Sequence, residues 1–379
     1  MISKFFGSPV SSDDSSSSGG NVGHGEPSSS SFSPTAASVR SEMNNSLIQV
    51  ACNCQNILIA GCGGGFDVYS GLPLYFDLKA MNKNVYLANL AFTDLSRMDN
   101  KTESILLPSY SSKKVLYAVH ADSNNHDLVY FPEKYLCEFL KQNSFDENPI
   151  VYTFDRSTGV VGITEGYEII IQRHGIDLLI LVDGGNDSLM RGNEEQLGSP
   201  HEDCMSIAGV YAISENVLPM DKRIMTCIGF GVDHFHGVHS SLFFENTSSI
   251  ISQYDGGFKG AFSVLKEWNC FVLFKQACDY AFKKMPHNAS IVSSSIIAAI
   301  EGHYGNYHPP EIKDRVKYST LYINPMMGMY WVYSVKAIAN QLMYLSFIKD
   351  SQSMMEVADG LRKYRNSLKT FRKPSPFPH

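Results

Sequence analysis

The sequence predicts a three-layer α/β domain with a mostly parallel sheet and a helical C-terminal part. Short apolar runs that end in glycine alternate with segments long enough for helices, which is typical of parallel βαβ units. Of the 379 residues, 44% are hydrophobic, which is enough to bury a large core. We therefore expect one domain over residues 49–370.

The predicted strands follow the chain in order, and each is a short apolar run. They are "NILIAG" (56–61), "NVYLANLAF" (84–92), "KVLYAV" (114–119), "DLLILVDGG" (177–185) and "RIMTCIGFG" (223–231). Residues 68–82 are suited to a helix after the first strand. Segments 262–285 and 330–349 carry apolar residues at helical spacing, so they predict the helical C-terminal part.

Two terminal segments differ from this pattern. Residues 1–48 are rich in serine, glycine and proline and have few large apolar side chains, so they predict a disordered tail. The tail is either an inert extension or a regulatory or targeting segment. Residues 371–379, "FRKPSPFPH", are also expected to be disordered.

Composition excludes several classes of protein. The net charge of -7 and the lack of a basic stripe argue against nucleic-acid binding. No apolar run reaches the roughly 18 residues of a membrane span, and no secretory signal is readable. The 8 cysteines lack zinc-site spacing, which favours a reducing compartment. The expected location is therefore the cytoplasm.

The first candidate loop, "GCGGGFD" at residues 61–67, follows the first predicted strand. Its glycines let the backbone N–H groups approach a ligand, and a helix that starts near Asp67 would add a partial positive charge. Asp67 is either a chemical group of the site or only a helix cap. The candidate ligand-binding residues of this loop are Gly61, Gly63, Gly64 and Gly65.

The second candidate loop follows the strand that ends at Asp183. Asp183 and Asp187 are four residues apart around a glycine turn, so they can converge on a cation or a hydroxylated ligand. Asp203 either caps the helix that follows or belongs to the site. Arg191 either holds a phosphate or neutralises the local acids. The further candidate ligand-binding residues of this loop are Gly184, Gly185, Asn186, Arg191 and Glu194.

The third candidate loop, "GFGVDHFHGVH", carries Gly229 and Gly231 as candidate ligand-binding residues at a strand end. Asp233, His234 and His236 follow as candidate catalytic residues, with Asp233 orienting a histidine base. The histidines alone do not complete a zinc site.

Two further residues have simpler interpretations. Cys62 is either a nucleophile activated by a helix N-terminus or a small apolar filler. Asn324 precedes Pro325 and is expected to cap a helical turn there.

Together, and in this order, the three loops resemble the uncharacterised family called domain of unknown function 1152. The resemblance rests on "GGGFD", on the long segment "VDGGNDSLMRGNEEQLGSPHEDCMSIA", on "GFGVD" and on "INPMMGMYW", and it extends over about residues 53–345. It implies a Rossmann-like fold and brings no established activity. Cys62 and the "HFH" cluster depart from the simplest form of the family pattern.

The leading hypothesis is an enzyme, a hydrolase or group transferase, that acts on a small phosphorylated or nucleotide-like ligand. Asp67, Asp183, Asp187 and Asp233 would provide acid–base or cation-binding groups, with His234 or His236 moving protons. Because carboxylates outnumber cations, a phosphate ligand would require Mg²⁺, with Asp183 and Asp187 as the first candidate metal ligands. The alternatives are a non-catalytic ligand-binding or sensor protein, with the serine-rich tail as a regulatory arm, and a partner-directed interaction protein.

Overall fold

The computed structural model describes residues 46–125 and 130–376. The predicted tail at 1–48 lies outside the described residues except for its last three, which begin the first helix. The described residues belong to one compact unit. None of the helices in this part of the chain is both long enough and apolar enough to cross a membrane.

The strands are short and mostly buried. They are β1 (Asn56–Gly61), β2 (Asn84–Ala91), β3 (Glu103–Ile105), β4 (Leu116–His120), β5 (Ile150–Asp155), β6 (Leu178–Gly184), β7 (Arg223–Ile228), β8 (Phe258–Ser263), β9 (Gly305–Asn306), β10 (Tyr322–Ile323) and β11 (Met329–Ser334). Strand β11 is the last strand along the chain and belongs to the main sheet.

Nine strands form one sheet in the order β3-β4-β5-β2-β1-β6-β7-β11-β8. The five central strands, from β5 to β7, run parallel. Strands β4 and β11 flank them in the antiparallel direction. This confirms the mostly parallel sheet. The chain moves outward from β1 to β5 and then returns to β6 on the other side of β1, so the strand order reverses between β1 and β6.

Helices lie on both faces of this sheet. They are α1 (Ser46–Cys52), α2 (Asp67–Ser70), α3 (Leu72–Ala80), α4 (Pro132–Gln142), α5 (Val160–His174), α6 (Pro200–Ala212), α7 (Ser240–Gln253), α8 (Asn269–Lys284), α9 (Ile291–Ile300), α10 (Lys313–Val316), α11 (Val335–Gln341), α12 (Leu345–Ile348) and α13 (Met354–Ser367).

Alternating side chains of each central strand enter two separate apolar cores. In β1, Ile57 and Ile59 pack in the core that includes residues of α3, α4 and α8, whereas Leu58 and Ala60 pack in the core that includes residues of α5, α6 and α11. Because both faces are covered, the central strands read as continuous apolar runs. Each fully buried Ile or Leu contributes about 1.5–3 kcal/mol to stability. The three-layer α/β architecture is thereby confirmed, while the closer Rossmann-like assignment stays a prediction.

The C-terminal part is largely helical as predicted, but strands take the first residues of both predicted helices. The predicted helix over 262–285 begins only at Asn269, since its first residues belong to β8. The predicted helix over 330–349 begins only at Val335, since "MYWVYS" forms β11 between β7 and β8. Aromatic and β-branched residues favour a strand there. Asn324 caps the following 3₁₀ turn as predicted, because its Oδ1 accepts from the Met326 N–H at 3.0 Å.

Candidate functional site

The three candidate loops meet where the strand order reverses. Asp67 follows β1, Asp183 lies at the end of β6, and Asp233 follows β7, the next strand in the sheet. In open α/β sheets, ligands bind beyond the carboxyl ends of the strands at such a reversal point. The topology therefore places these carboxylates at the position where this kind of fold forms a crevice.

Five carboxylates gather at this edge, and we call them the acid cluster. One oxygen from each of Asp67, Asp183 and Asp203 lies within 4.8 Å of the other two. Four of the five side chains are buried, and Asp67 is partly exposed. The members of the acid cluster are Asp67, Asp183, Asp187, Asp203 and Asp233.

The first loop wraps around its own carboxylate. The Gly63 N–H donates to Asp67 Oδ2 at 2.6 Å. Burial raises the pKa of Asp67, and hydrogen bonds from the backbone of Gly63, Gly64 and Gly184 partly offset that rise. The Gly65 N–H donates to the Leu90 carbonyl at 2.9 Å. The sequence analysis expected these amides to hold an external anion. In the structure the Gly63 amide helps to position Asp67 beside the other acids, and anion binding by this loop stays a prediction.

Hydrogen bonds connect the second loop to the third loop. The Asn186 N–H donates to Asp233 Oδ2 at 2.7 Å, and Asn186 Oδ1 accepts from the Gly231 N–H at 3.0 Å. A Cβ atom on Gly185 would lie 2.5 Å from Asp233 Oδ2, so only glycine permits this approach. The Gly229 N–H donates to the Met327 carbonyl at 3.1 Å. Asp233 and Asn186 thus position the loops that carry the other acids.

Glycine is also required directly beside the acids. A Cβ atom on Gly63 would lie 2.6 Å from Asp203 Oδ1 and from Asp67 Oδ2, and one on Gly184 would lie 2.6 Å from Ser70 Oγ. A Cβ atom on Gly61 would approach Asn89 Oδ1 to 2.2 Å. The predicted glycines therefore matter here because they let the polar side chains of the site approach the backbone.

Asp203 is a site residue that the sequence analysis also considered as a helix cap. It lies in the first turn of α6, whose N-cap residue is Ser199. Its carboxylate is 4% exposed and instead lies beside Asp67 and Asp183. The sequence feature that could have identified Asp203 is "SPHED". Its spacing places this acid in the first turn of the helix that follows the second loop.

The two remaining acids have separate partners. Ser188 Oγ donates to Asp183 Oδ2, and the Ser199 N–H donates to Asp187 Oδ2 at 2.8 Å. The charge of Asp187 is the largest electrostatic cause of the raised pKa of Asp183, after burial. The charge of Asp187 is also the largest electrostatic cause, after burial, of the raised pKa values of Asp203 and Asp233. Asp187 is therefore central to the cluster.

The histidines lie at the edge of the site. His234 and His236 belong to the 3₁₀ turn Val232–His236 and both side chains are exposed. His236 is close enough to lower the pKa of Asp187. Among the described residues, the group suited to a metal ion consists of carboxylates without a histidine. Of the two, His236 is thus the better placed to exchange protons with the acid cluster.

Cys62 is a buried filler in this structure. Its side chain is fully buried, and its Sγ lies 3.7 Å from the Asp203 carbonyl oxygen. Burial, followed by the charges of Asp203 and Asp183, raises the pKa of the Cys62 thiol well above its ordinary value. A thiol held protonated in this way is a poor nucleophile.

Arg191 and Glu194 belong to a different contact, with the C-terminal segment. Both Glu194 oxygens have partners, since Oε1 accepts from the Arg191 N–H at 3.0 Å and Oε2 from the Gly192 N–H at 2.8 Å. Arg372 also forms an ion pair with Glu194. Residue 372 lies within 371–379, which the sequence analysis expected to be disordered, and residues 377–379 lie outside the described part. Glu194 therefore organises its own loop, and its predicted role in ligand binding stays untested.

The acids carry strongly raised pKa values. Burial, partly offset by the Gly63 hydrogen bond and reinforced by Asp187, raises the pKa of Asp67 to about 7. Burial and the neighbouring carboxylates raise the pKa values of Asp183, Asp203 and Asp233 well above the ordinary value. Carboxylates that repel one another in this way are stabilised by a bound cation. The electrostatics favour a divalent metal ion.

Two buried polar atoms beside the acids lack a hydrogen-bond partner. They are Ser70 Oγ, close to the Gly184 backbone, and Asn186 Nδ2, on the loop held by Asp233. Ser70 and Asn186 are each 1% exposed. Buried polar atoms are rarely left unsatisfied in proteins, so each is suited to bonding a ligand or a water molecule of the site.

We expect the stabilisation by Mg²⁺ to increase with pH. Because the pKa of Asp67 is raised, the cation-free protein loses stability as pH rises from about 4 to about 7. A cation such as Mg²⁺ would bind the ionised carboxylates, so the rise in melting temperature on its addition should be larger at pH 8 than at pH 5. Melting curves with and without Mg²⁺ test this. Equal increments at the two pH values would contradict it.

The fold and the site define an α/β protein with a carboxylate-lined site at its strand ends. The chain belongs to the family described as "Protein of unknown function (DUF1152)", which matches residues 108–367. The match contains the second and third loops, whereas the first loop lies before it, so its extent differs from the expected 53–345. No curated protein and no solved structure matches the chain.

Proposed function

We propose that this protein is a divalent-cation-dependent enzyme that hydrolyses or transfers a group of a small phosphorylated or nucleotide-like molecule. The observation that carries the proposal is the convergence of Asp67, Asp183 and Asp203 within 4.8 Å at the reversal point of the sheet. Three carboxylate oxygens are the ligand type that Mg²⁺ prefers.

The donor set fits the cation with a small adjustment. Neighbouring oxygen ligands of Mg²⁺ at about 2.1 Å lie about 3–4 Å apart, somewhat closer than the 4.8 Å limit of this group. Charge neutralisation on cation binding favours that contraction. When bound, the cation would polarise a phosphoryl oxygen or lower the pKa of a water molecule.

The chain's own residues have separate tasks in this proposal. Asp67, Asp183 and Asp203 hold the cation, and Asp187 lies beside them with a raised pKa and His236 nearby. A carboxyl group of this kind can accept or return a proton near neutral pH. Asp233 and Asn186 hold the loop in place through the 2.7 Å hydrogen bond. Each cysteine is a free thiol, which supports the proposed cytoplasmic location.

A turnover screen tests the proposal. The full chain is incubated with nucleotides and sugar phosphates, with Mg²⁺ or Mn²⁺ or with a chelator, and products are measured by phosphate release and chromatography. We expect cation-dependent turnover that is lost in Asp203→Asn and kept in Asp255→Asn, an exposed carboxylate outside the site. Cation and ligand binding without any product would instead indicate the binding or sensor protein. No cation binding would refute the proposal.

A further inference from the structure

A second polar cleft lies along the same edge of the sheet as the acid cluster. It has a volume of about 700 Å³ and is lined by residues that follow β2 and β5 and by residues that precede β4. Since β4 runs antiparallel to β5, its first residues lie at the carboxyl edge of the parallel strands. Ala91 of β2 pairs with Asp155 of β5, which fixes the position of this cleft on the sheet.

The exposed charge of this cleft is positive. Lys113, Lys114 and Arg156 line it and are exposed. Lys113 Nζ donates to Ser157 Oγ at 2.5 Å. In the described part of the chain, neither Lys114 nor Arg156 takes part in an ion pair within 4.0 Å. This leaves two cationic groups able to bind an external anion.

The two acidic side chains of the cleft, Asp94 and Asp155, already have partners within the chain. Asp94 pairs with Arg97 at 3.3 Å and accepts from the Ser96 N–H at 3.1 Å. Asp155 is 9% exposed and accepts from the Ser157 N–H at 2.9 Å. Arg156 is also close enough to lower the pKa of Asp94. The cleft is lined by three cationic side chains, Lys113, Lys114 and Arg156, and by two carboxylates, so its net charge is positive.

Phe92 connects the cleft with the acid cluster. Its ring lies against the first loop, because Cβ atoms on Gly64 and Gly65 would approach it to 3.3 and 2.8 Å. The same side chain lines the cleft and is 43% exposed. Arg156 in turn lies close enough to Glu202, the neighbour of Asp203, to lower the pKa of Glu202. The two sites are thus adjacent parts of one edge.

We infer that this cleft binds the phosphate end of a nucleotide-like substrate, whose nucleoside end carries the reactive bond and lies at the acid cluster. In this arrangement the cation would act on a water molecule and not on a phosphoryl oxygen. The inference rests on the proposed function and adds the length and charge of the substrate. The cleft lies two to three strands from the β1–β6 gap, and neighbouring strands are about 4.8 Å apart. The substrate therefore extends over about 10–15 Å, the size of a nucleotide rather than a simple phosphate ester.

Lys114 and Arg156 provide the test. We expect the full chain to bind ADP with Mg²⁺ more tightly than inorganic phosphate, by isothermal titration calorimetry. The double variant Lys114→Ala/Arg156→Ala should weaken ADP binding about tenfold, the loss expected for two exposed ion pairs. The control Lys266→Ala/Lys283→Ala removes the same charge from exposed positions before and within α8 and should bind ADP as the wild type does.

The Asp183→Asn variant separates this inference from the proposed function. It removes a cation ligand and leaves the cleft intact, so it should still bind ADP weakly and lose that binding when Lys114 and Arg156 are also replaced. Wild-type ADP affinity in the double variant would overturn the inference, as would a wild-type chain that binds Mg²⁺ but not ADP. In both of those outcomes the cation site of the proposed function would stand.

Discussion

Replacing Asp183 by asparagine is expected to stabilise the cation-free protein and to abolish its response to Mg²⁺. The side chain is 3% exposed and surrounded by Asp187, Asp67 and Asp233, which together with burial raise its pKa. Asparagine has nearly the same shape and can still accept the hydrogen bond from Ser188. Asparagine is neutral at every pH, so it avoids the cost of protonating or ionising this buried carboxyl group and should add about 0.5–2 kcal/mol to the free energy of unfolding.

The same substitution removes one of the three proposed cation ligands. We expect the affinity for Mg²⁺ to fall at least about 100-fold, more than for loss of an outer-shell partner. Melting curves and calorimetric titrations measure both effects on one sample. Asp255→Asn is the matched control, since it removes an exposed carboxylate and should change neither quantity. A variant that is destabilised, or that keeps wild-type Mg²⁺ affinity, would show that Asp183 is a structural residue.

This opposition between stability and binding distinguishes a cation site from a structural network of acids. In a structural network, each carboxylate would be paired with a donor, and its removal would leave that donor unsatisfied and cost stability. In the acid cluster, most carboxylates do accept a hydrogen bond, but burial and then the neighbouring carboxylates raise the pKa values of Asp183 and Asp203. Functional sites commonly keep such strain because the ligand relieves it.

The central strands could be predicted from the sequence because they are buried on both faces. "NILIAG" and "LLILVDG" are continuous apolar runs that end in glycine, and they form β1 and β6 side by side. Strand β11 was predicted as helix because a short apolar run fits both periods. Its place between β7 and β8 depends on pairing with distant residues, which the local sequence does not encode.

Much of the candidate site was also predictable, since the ends of parallel strands meet at one edge. Asp67, Asp183 and Asp233 follow predicted strands and lie together in the structure. Asp203 was not singled out because an acid in the first turn of a helix usually has a capping or dipole role. The predicted role of the loop amides in binding an anion stays a prediction, although the Gly63 N–H already has a partner within the chain. A sequence shows that glycines permit close approach but not that the approaching group is the chain's own Asp67.

Loss of Arg372 is expected to be the most destabilising of the changes considered. Glu194 is fully buried, and Arg372 forms an ion pair with it and donates to Asn246 Oδ1 at 2.6 Å. Burial alone would raise the pKa of Glu194, but hydrogen bonds from the Arg191 N–H and Asn246, with the charge of Arg372, lower it below its ordinary value. Arg372→Ala leaves this charge without its partner and should cost about 2–4 kcal/mol.

A double-mutant cycle shows whether the charge of Glu194 is the cause. Glu194→Gln removes the charge that requires Arg372, so Arg372→Ala should cost less in that background, as measured by urea unfolding. Arg362→Ala breaks only an exposed pair with Asp359 and should change stability by less than about 0.5 kcal/mol. Additive effects of the two substitutions would contradict the ion pair. If Glu194→Gln instead kept full stability and lost ligand binding, the residue would belong to the binding site, as its sequence position suggested.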